Sequence, residues 1–417
     1  MPIALMPRVR RLVRRFREVR ANDGLFAALS LVTRYIYWRI PLLRPSLFAT
    51  RRQAQIRRTI ALLRSDVPPI TPILALVVRG GLGDHIQTAR FIRDLAQHSE
   101  GFSFDVYTLR PAIAAWVFAS VTGFHAAYDP VLLNESCYDC TLDILHFVTV
   151  RRDSLLLHRM ESRPNLLAAV RNIMAAFHSI GLCAVHSPQL DNLLAQKAVF
   201  SNCTSANFLH HLAGVPYGGP RLSIAMSEPQ LSGPSFGRSQ YITVHNGFDK
   251  QFVMTGSATK VYPYFSGVVQ IIKQQSPDIL IVQIGDAAAS TPVAGVDVDL
   301  LGKTTLSEAA DVISGALLHL DSEGGLVHVA AAVGTPSAVI FGPTPLPFFA
   351  YEANINIPPR TCGGCWWTNE TWMTQCPRGL SDPVCMTQDP LDVAATINEW
   401  IVREHRGAEG AKSTRTG

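Results

Sequence analysis

Three stretches of the chain set reactive side chains beside glycine-rich turns. In Arg79-Gly80-Gly81-Leu82-Gly83-Asp84 a carboxylate follows a short apolar run and precedes a helical pattern. An Asp there can cap the helix, or it can face a cleft as the general base that takes a proton from a hydroxyl. In the second stretch a polar turn, Asp321 to Gly325, leads into the helix-like run Leu326 to Val333. Free backbone N–H groups at such a helix start favour an anion such as a diphosphate. The Glu323 carboxylate suits sugar or ribose hydroxyls better than phosphate. An ordinary turn–helix–strand unit also carries such a Gly pair. In the third, Thr259-Lys260-Val261-Tyr262-Pro263, the ammonium of Lys260 is either a solvated charge or the counter-charge of that diphosphate.

A fourth set is made of thiols. Cys362-x2-Cys365-x10-Cys376-x8-Cys385 opens with a C-x-x-C pair and gathers four cysteines in one short segment. Four thiolates can close a tetrahedral site for zinc or for a single iron, and spacing does not separate the two metals. Two disulfides or reduced thiols would use the same residues. Cys137-x-x-Cys140 has no second pair near it and reads as free cysteines.

These stretches need elements to position them. Ile73 to Val78 is a continuous apolar run, as in a parallel strand buried on both faces, with a helix expected from His85 to Gln97. Strand 104–108, helix 111–121, strand 142–147 and helix 166–180 continue the alternation, and 208–212 closes a further helix. A Gly-, Pro- and Ser-rich linker follows at 213–238. The pattern restarts with strand 241–244, helix 264–274, strand 279–284, helix 306–316, strand 317–320 and strand 337–341, and a helix over 389–404 ends it. Alternating strands and helices imply parallel sheets with ligands at the carboxyl ends of the strands. The glycine turns at 80–83, 247 and 324–325 all follow such strands.

The bulk numbers fit. At 417 residues, 47% hydrophobic and 17% charged, the chain has room for two domains and a large core. Its net charge of +5 is uneven: residues 1–60 hold fourteen Arg against Glu18 and Asp23, so the remainder is net acidic. Within that arm RVRRLVRRFREVR puts Val9, Leu12, Val13, Phe16 and Val19 on one helical stripe, and Phe26, Tyr35, Tyr37 and Trp38 follow. A basic amphipathic helix with interfacial aromatics can lie on an anionic membrane surface, or pack on the body with its Arg face solvated. No groove-reading or stacking motif accompanies it, so nucleic acid is not an expected partner. Eight cysteines without a secretory signal pattern point to a reducing, cytoplasmic setting, peripheral at the inner membrane face if the arm binds lipid.

The run DSEGGLVHVAAAVGTPSAVIFGPT resembles the donor-site segment of glycosyltransferase family 9, the ADP-heptose-dependent heptosyltransferases. Gly325, His328, Ala330 to Ala332, Gly334, Pro336 and Phe341 to Thr344 match the family pattern. Glu323 falls where the family has Asp, and Gly324 replaces its Ser or Thr. LVVRGGLGDHIQTARFIRDL is similar to the family's opening segment, with a turn one residue shorter and Arg90 in place of the usual Pro, a change expected to touch helix geometry more than chemistry. His245-Asn246-Gly247 and Thr259-Lys260-Val261-Tyr262-Pro263 resemble its "H-x-G" and "K-x-W-P" segments, separated here by a longer loop. Leu300 to Leu306 resembles its "L-x-G-[KR]-[TS]-[TS]-L".

The resemblance implies an α/β fold of the GT-B type, two Rossmann-like domains facing a cleft. It implies an inverting glycosyltransferase with Asp84 as catalytic base. Lys260, Thr304, Thr305, Glu323, Gly324, Gly325, Leu326 and His328 would hold the donor, and Gly83, His245 and Asn246 would line the acceptor side. The donor would be a nucleotide sugar, ADP-heptose first, and the acceptor a glycan, lipid or protein of the cell envelope. No catalytic metal is expected. The cysteine segment looks like the iron-binding finger of the autotransporter heptosyltransferases, which implies one structural Fe or Zn on Cys362, Cys365, Cys376 and Cys385. The expected division is a basic arm over 1–70, an acceptor domain over 71–235, a donor domain over 236–405 and a disordered tail over 406–417. A homo-oligomer, a non-catalytic nucleotide-sugar-binding protein at the membrane surface and a nucleotide-sugar epimerase on the same fold remain open at this level.

Overall fold

A computed structural model describes residues 25, 47–66, 71–152, 155–226, 240–248 and 258–413. The amphipathic stripe of 8–20, the aromatics of 26–38, residues 227–238 of the expected linker and most of the loop before Lys260 lie outside the described residues.

The first domain begins with helix α1 (Leu47–Asp66), which sends Ile56 and Ile60 into a cluster with Ile73, Ala75, Val77, Tyr107 and Tyr138. This last part of the expected arm is therefore packed on the body. Strand β1 (Ile73–Val78) is buried at all six positions, as a strand covered on both faces must be. Helix α2 (Leu82–His98) starts three residues before the expected His85. Its start is fixed by Asp84, whose carboxylate accepts from the N-cap Gly81 N–H. Strand β2 (Ser103–Tyr107), helix α3 (Pro111–Phe118), strand β3 (Phe124–Tyr128) and strand β4 (Cys140–Ile144) follow. The chain then turns back into strand β5 (Val148–Arg151), antiparallel to β4. The strand expected over 142–147 runs from β4 through the turn and stops short of β5, because the apolar run continues through the turn. The domain closes with helices α4 (Pro164–Val185), α5 (Asp191–Phe200) and α6 (Phe208–Ala213). By length and composition α4 could cross a membrane, but Leu166, Val170, Ile173 and Ile180 place one face of it in the domain core.

The second domain runs through β6 (Tyr241–Val244), α7 (Phe265–Gln275), β7 (Leu280–Gln283), β8 (Val298–Asp299) and α8 (Leu306–Ser314). It continues with β9 (Leu318–Ser322), α9 (Gly325–Val333), β10 (Ser337–Ile340), α10 (Leu346–Phe349), β11 (Ile355–Ile357) and α11 (Pro390–Ser413). The tail expected from residue 406 is helical to Ser413.

The strand orders are β3-β2-β1-β4-β5 and β11-β10-β9-β6-β7-β8, and every pairing except β4 with β5 is parallel. Both orders reverse direction at an internal pair, β1/β4 in the first sheet and β6/β9 in the second. Those pairs are where a doubly wound sheet opens a crevice for ligands. Helices α2 and α9 pack on one another between the sheets, and one buried cluster runs through both domains, from Leu74 and Phe91 to Val329 and Phe341.

Candidate active site

The two crevices face a single cleft of about 1080 Å³. On its first wall the β1–α2 turn carries Asp84. The Oδ2 atom accepts from Gly81 N–H at 2.7 Å, while Oδ1 stands 3.4 Å from His146 Nδ1. Gly80 has φ +93°, and a Cβ there would lie 2.1 Å from Asp84 Oδ2, so the tight turn and the carboxylate require glycine at that position. His85 pins the turn from behind, its ring nitrogens 2.7 Å from Gly81 O and 2.9 Å from Thr108 Oγ1. Burial lowers the pKa of His85, against the pull of the Gly81 carbonyl and Asp84. His146 sits in the β4–β5 turn, which the hairpin aims into the cleft.

The second wall is a set of prearranged pairs. Lys260 Nζ lies 3.6 Å from Glu323 Oε2, beside the start of α9. At that start Gly324 offers no side-chain cap, so the first N–H groups of α9 remain open toward the cleft. His245 Nδ1 meets both oxygens of Asp321, at 3.0 and 2.9 Å, and His319 Nε2 lies 3.4 Å from Oδ2. Burial would raise the Asp321 pKa, but His245 and His319 hold it below the usual carboxylate range.

His328, one turn into α9, is joined to the first domain. Arg90 can only donate, and its Nη1 donates to Tyr351 OH at 2.5 Å. The phenol therefore spends its own proton on His328 Nδ1, at 2.6 Å. That leaves the ring proton on Nε2, the atom facing Glu323 Oε1 at 3.9 Å. Burial and the nearby charges of Arg90 and Lys260 push the His328 pKa down to about 3, so the ring is a neutral donor. A Cβ on Gly83 would lie 2.4 Å from the His328 ring, so glycine is what lets α2 and α9 approach. Arg90 was expected to touch helix geometry more than chemistry. Instead it is fully buried between the domains, with Nη2 also bonded to His328 O at 3.1 Å.

The cysteine segment lies at the edge of the cleft. Its backbone is tied to the 342–345 turn by Gly364 N to Gly342 O and Trp366 N to Pro343 O. Asn192 of α5 donates to the carbonyls of Gly364 and Trp366, at 2.8 Å each. Trp366, Trp367 and Trp372 thereby reach the cleft. The donor set of four cysteines suits Fe or Zn. Burial raises the Cys365 thiol, with Cys376 and Cys362 adding to it; burial and the other three thiols push Cys385 up to about 12. That is the mutual effect of thiols held close together. Among the described residues, however, no three His, Cys, Asp or Glu side chains converge in a geometry that would hold a metal.

Of the residues singled out in the sequence, Gly83, Asp84, His245, Lys260, Thr304, Thr305, Glu323, Gly324, Gly325, Leu326 and His328 all line the cleft. Asn246 does not: it is buried behind the wall, and its carbonyl accepts from Thr291 N–H. The Thr305 hydroxyl is engaged in capping α8 reciprocally with Glu308. Sequence reasoning missed His146, Asp191, Arg90 and Tyr351. It also placed Asp321 in a turn, whereas β9 runs through Ser322 and buries it. Period-two alternation in Leu318-His319-Leu320-Asp321 puts His319 and Asp321 on one side of a strand, and was the available signal.

Two Rossmann-like sheets facing one cleft define the GT-B class. A family model described as glycosyltransferase family 9 (heptosyltransferase) matches residues 239–359, a stretch that lies within the second domain. Lipooligosaccharide heptosyltransferase 2 of Haemophilus influenzae is 45% identical over 47 residues, which span 11% of this chain and 14% of that protein. The ADP-heptose LPS heptosyltransferase II of E. coli superposes with a TM-score of 0.50 at 14% identity, covering 80% of this chain and 99% of that one. The dodecameric iron-containing heptosyltransferase TibC, solved with ADP-D-β-D-heptose, gives 0.50 at 15% identity over 81% of this chain and 77% of its own. At these identities the two structures establish the shared fold.

Proposed function

We propose that the chain is an inverting glycosyltransferase that moves a sugar, heptose first, from an ADP-linked donor to a hydroxyl of a cell-envelope glycan, lipid or protein. The observation that carries this reading is the meeting of two helix starts across one cleft. The start of α2 presents a carboxylate, Asp84; the start of α9 presents open N–H groups with Lys260 beside them. Asp84 takes the proton of the acceptor hydroxyl as that oxygen attacks the anomeric carbon from the face opposite the diphosphate. Lys260 and the α9 start hold the diphosphate as negative charge develops on it, and no catalytic metal is required. The neutral Nε2–H of His328 adds a fixed donor on the same side. Glu323, paired to Lys260, keeps an oxygen for sugar or ribose hydroxyls. A thermal-shift panel of ADP, ADP-heptose and other nucleotide sugars tests the donor. Mass spectrometry of cell-envelope fractions incubated with the stabilising donor then tests transfer. A panel with no stabilising nucleotide would sink the reading.

Cys362, Cys365, Cys376 and Cys385 would supply the thiolates for one Fe or Zn, whose binding would have to draw their side chains together and so close the finger that carries the tryptophans. Bound metal would supply structure there, since its binding free energy is partly folding free energy. The four-thiolate donor set and its C-x-x-C opening support this assignment. A cytoplasmic setting, with the basic arm on the anionic inner face of the membrane, completes the reading. Deleting residues 1–45 is expected to abolish salt-sensitive binding to anionic vesicles while donor affinity persists, and equal vesicle binding by both chains would exclude it.

A further inference from the structure

Two polar side chains of the first wall have buried atoms that lack a hydrogen-bond partner among the described residues. Asp191 is 1% exposed and lines the cleft, yet among the described residues neither carboxylate oxygen has a donor in hydrogen-bond geometry, the Ser187 side chain being near enough to lower its pKa without meeting that geometry. His146 Nδ1 is likewise unbonded, its 3.4 Å approach to Asp84 falling short of a directed bond. Burying a carboxylate without such a bond is costly, and the start of α5 offsets only part of that cost. A capping role would be served as well by an exposed side chain, so the burial at a cleft wall needs another reason. Burial raises the Asp191 pKa and Asp84 adds to that, while His146, a Ser187 contact and Arg79 oppose it.

Resting on the glycosyltransferase reading, we infer that Asp191 and His146 form an acceptor subsite for the hydroxyls of a neutral sugar, next to the hydroxyl that Asp84 deprotonates. A carboxylate with two open oxygens can accept from two adjacent O–H groups, and the imidazole supplies one further contact. The charge around the subsite selects against a phosphorylated ring at this position. Asp84 and Asp191 are both anionic when ionised, and the guanidinium of Arg79 is engaged by Asp143 at 2.6 Å. Trp366 stands edge-on to His146, with ring centroids 4.9 Å apart, and gives the subsite an apolar side for the C–H face of a sugar. The subsite thus spans both domains, which would tie acceptor capture to the placement of the finger.

Saturation-transfer NMR with methyl α-D-mannopyranoside and methyl β-D-galactopyranoside tests this, on the full chain with and without ADP. The wild type is expected to transfer saturation to at least one glycoside. Asp191→Asn keeps the shape and the helix start, and is expected to weaken that binding roughly tenfold or more while ADP affinity by calorimetry stays the same. If Asp191→Asn does not fold by circular dichroism, His146→Gln gives the same readout from the other side of the subsite. No transfer to the wild type, or equal transfer to wild type and variants, overturns the inference. So does magnesium binding by the wild type, titrated alone, that Asp191→Asn abolishes, because the carboxylate would then be a cation ligand. Loss of ADP binding by the wild type would instead overturn the donor reading, and the glycoside result would stand apart from it.

Discussion

The two walls of the cleft are built on opposite plans. On the second wall the ionisable groups satisfy one another: Lys260 with Glu323, His245 and His319 with Asp321, His328 with Tyr351 and Arg90. On the first, among the described residues, Asp84 has one directed bond to its carboxylate, and Asp191 and His146 Nδ1 have none. A prearranged wall suits a ligand whose charge is always the same, such as a nucleotide diphosphate, since its dipoles need not reorganise when charge develops. An unpaired wall suits a partner that brings its own donors and gives up a proton. The same fold element, a glycine turn after a parallel strand, serves both because different side chains follow it.

The comparison breaks most sharply at Asp84. Replacement by Asn keeps the bond from Gly81 N–H and the shape of the turn, so fold and donor affinity are expected to persist. Turnover with the true acceptor is expected to fall about 10²–10⁴-fold, the usual cost of losing a general base. Steady-state kinetics with calorimetric donor affinity would check both halves. Near-normal turnover would return Asp84 to the role of a helix cap.

Lys260→Ala probes the other wall. Its charge meets the diphosphate in ground and transition states alike, so donor affinity and turnover fall together, each by roughly 10–100-fold. Glu323 would be left without its partner at the floor of the cleft, adding to the loss. Unchanged ADP affinity in the variant would remove Lys260 from the donor site.

How much of this was legible beforehand depends on the length scale of each signal. The parallel strands and their helices were legible because Ile73 to Val78 and Ala338 to Phe341 are apolar without interruption. The glycine turns at Asp84 and Glu323 were legible because their side chains and the turn lie together in sequence. The β4–β5 hairpin was not: Leu145 and Phe147 carry the apolar run through the turn, and His146 goes to the cleft only because the chain reverses there. Asp191 reaches the same wall from far along the chain, by the packing of α5. Arg90, His328 and Tyr351 form one hydrogen-bonded line only once the domains meet, so nothing local in the sequence announces it.

The finger offers a smaller test, of stability as well as geometry. Cys376→Ser is expected to lower the Fe or Zn content of freshly reduced protein and to reduce its melting temperature, since metal and fold are linked. Asn192 ties the finger to α5, so the change should also weaken glycoside binding at the first wall. Elemental analysis finding neither metal in the wild type would leave the finger held by hydrogen bonds alone.

The smallest expected effects belong to the Arg90–Tyr351–His328 line. Tyr351→Phe removes the hydroxyl that fixes the His328 tautomer, so Nε2 no longer carries the proton in every molecule. Donor affinity is expected to weaken by roughly two- to tenfold, the scale of one neutral hydrogen bond. Ring ¹⁵N spectra should show a single tautomer in the wild type and a mixture in the variant. The pH dependence gives an independent reading. His328 has a folded pKa of about 3 against 6.5 for a free imidazole. Between those values the unfolded chain binds a proton that the folded one does not. Stability from this group is therefore full above pH 6.5 and lost as pH falls toward 3, by about 1.4 kcal/mol per pH unit. Urea denaturation from pH 7 to pH 4 should show that slope in the wild type and a flatter one in His328→Gln, which cannot titrate. Equal slopes would mean that His328 is charged in the folded protein, and the neutral donor on the second wall would have to be given up.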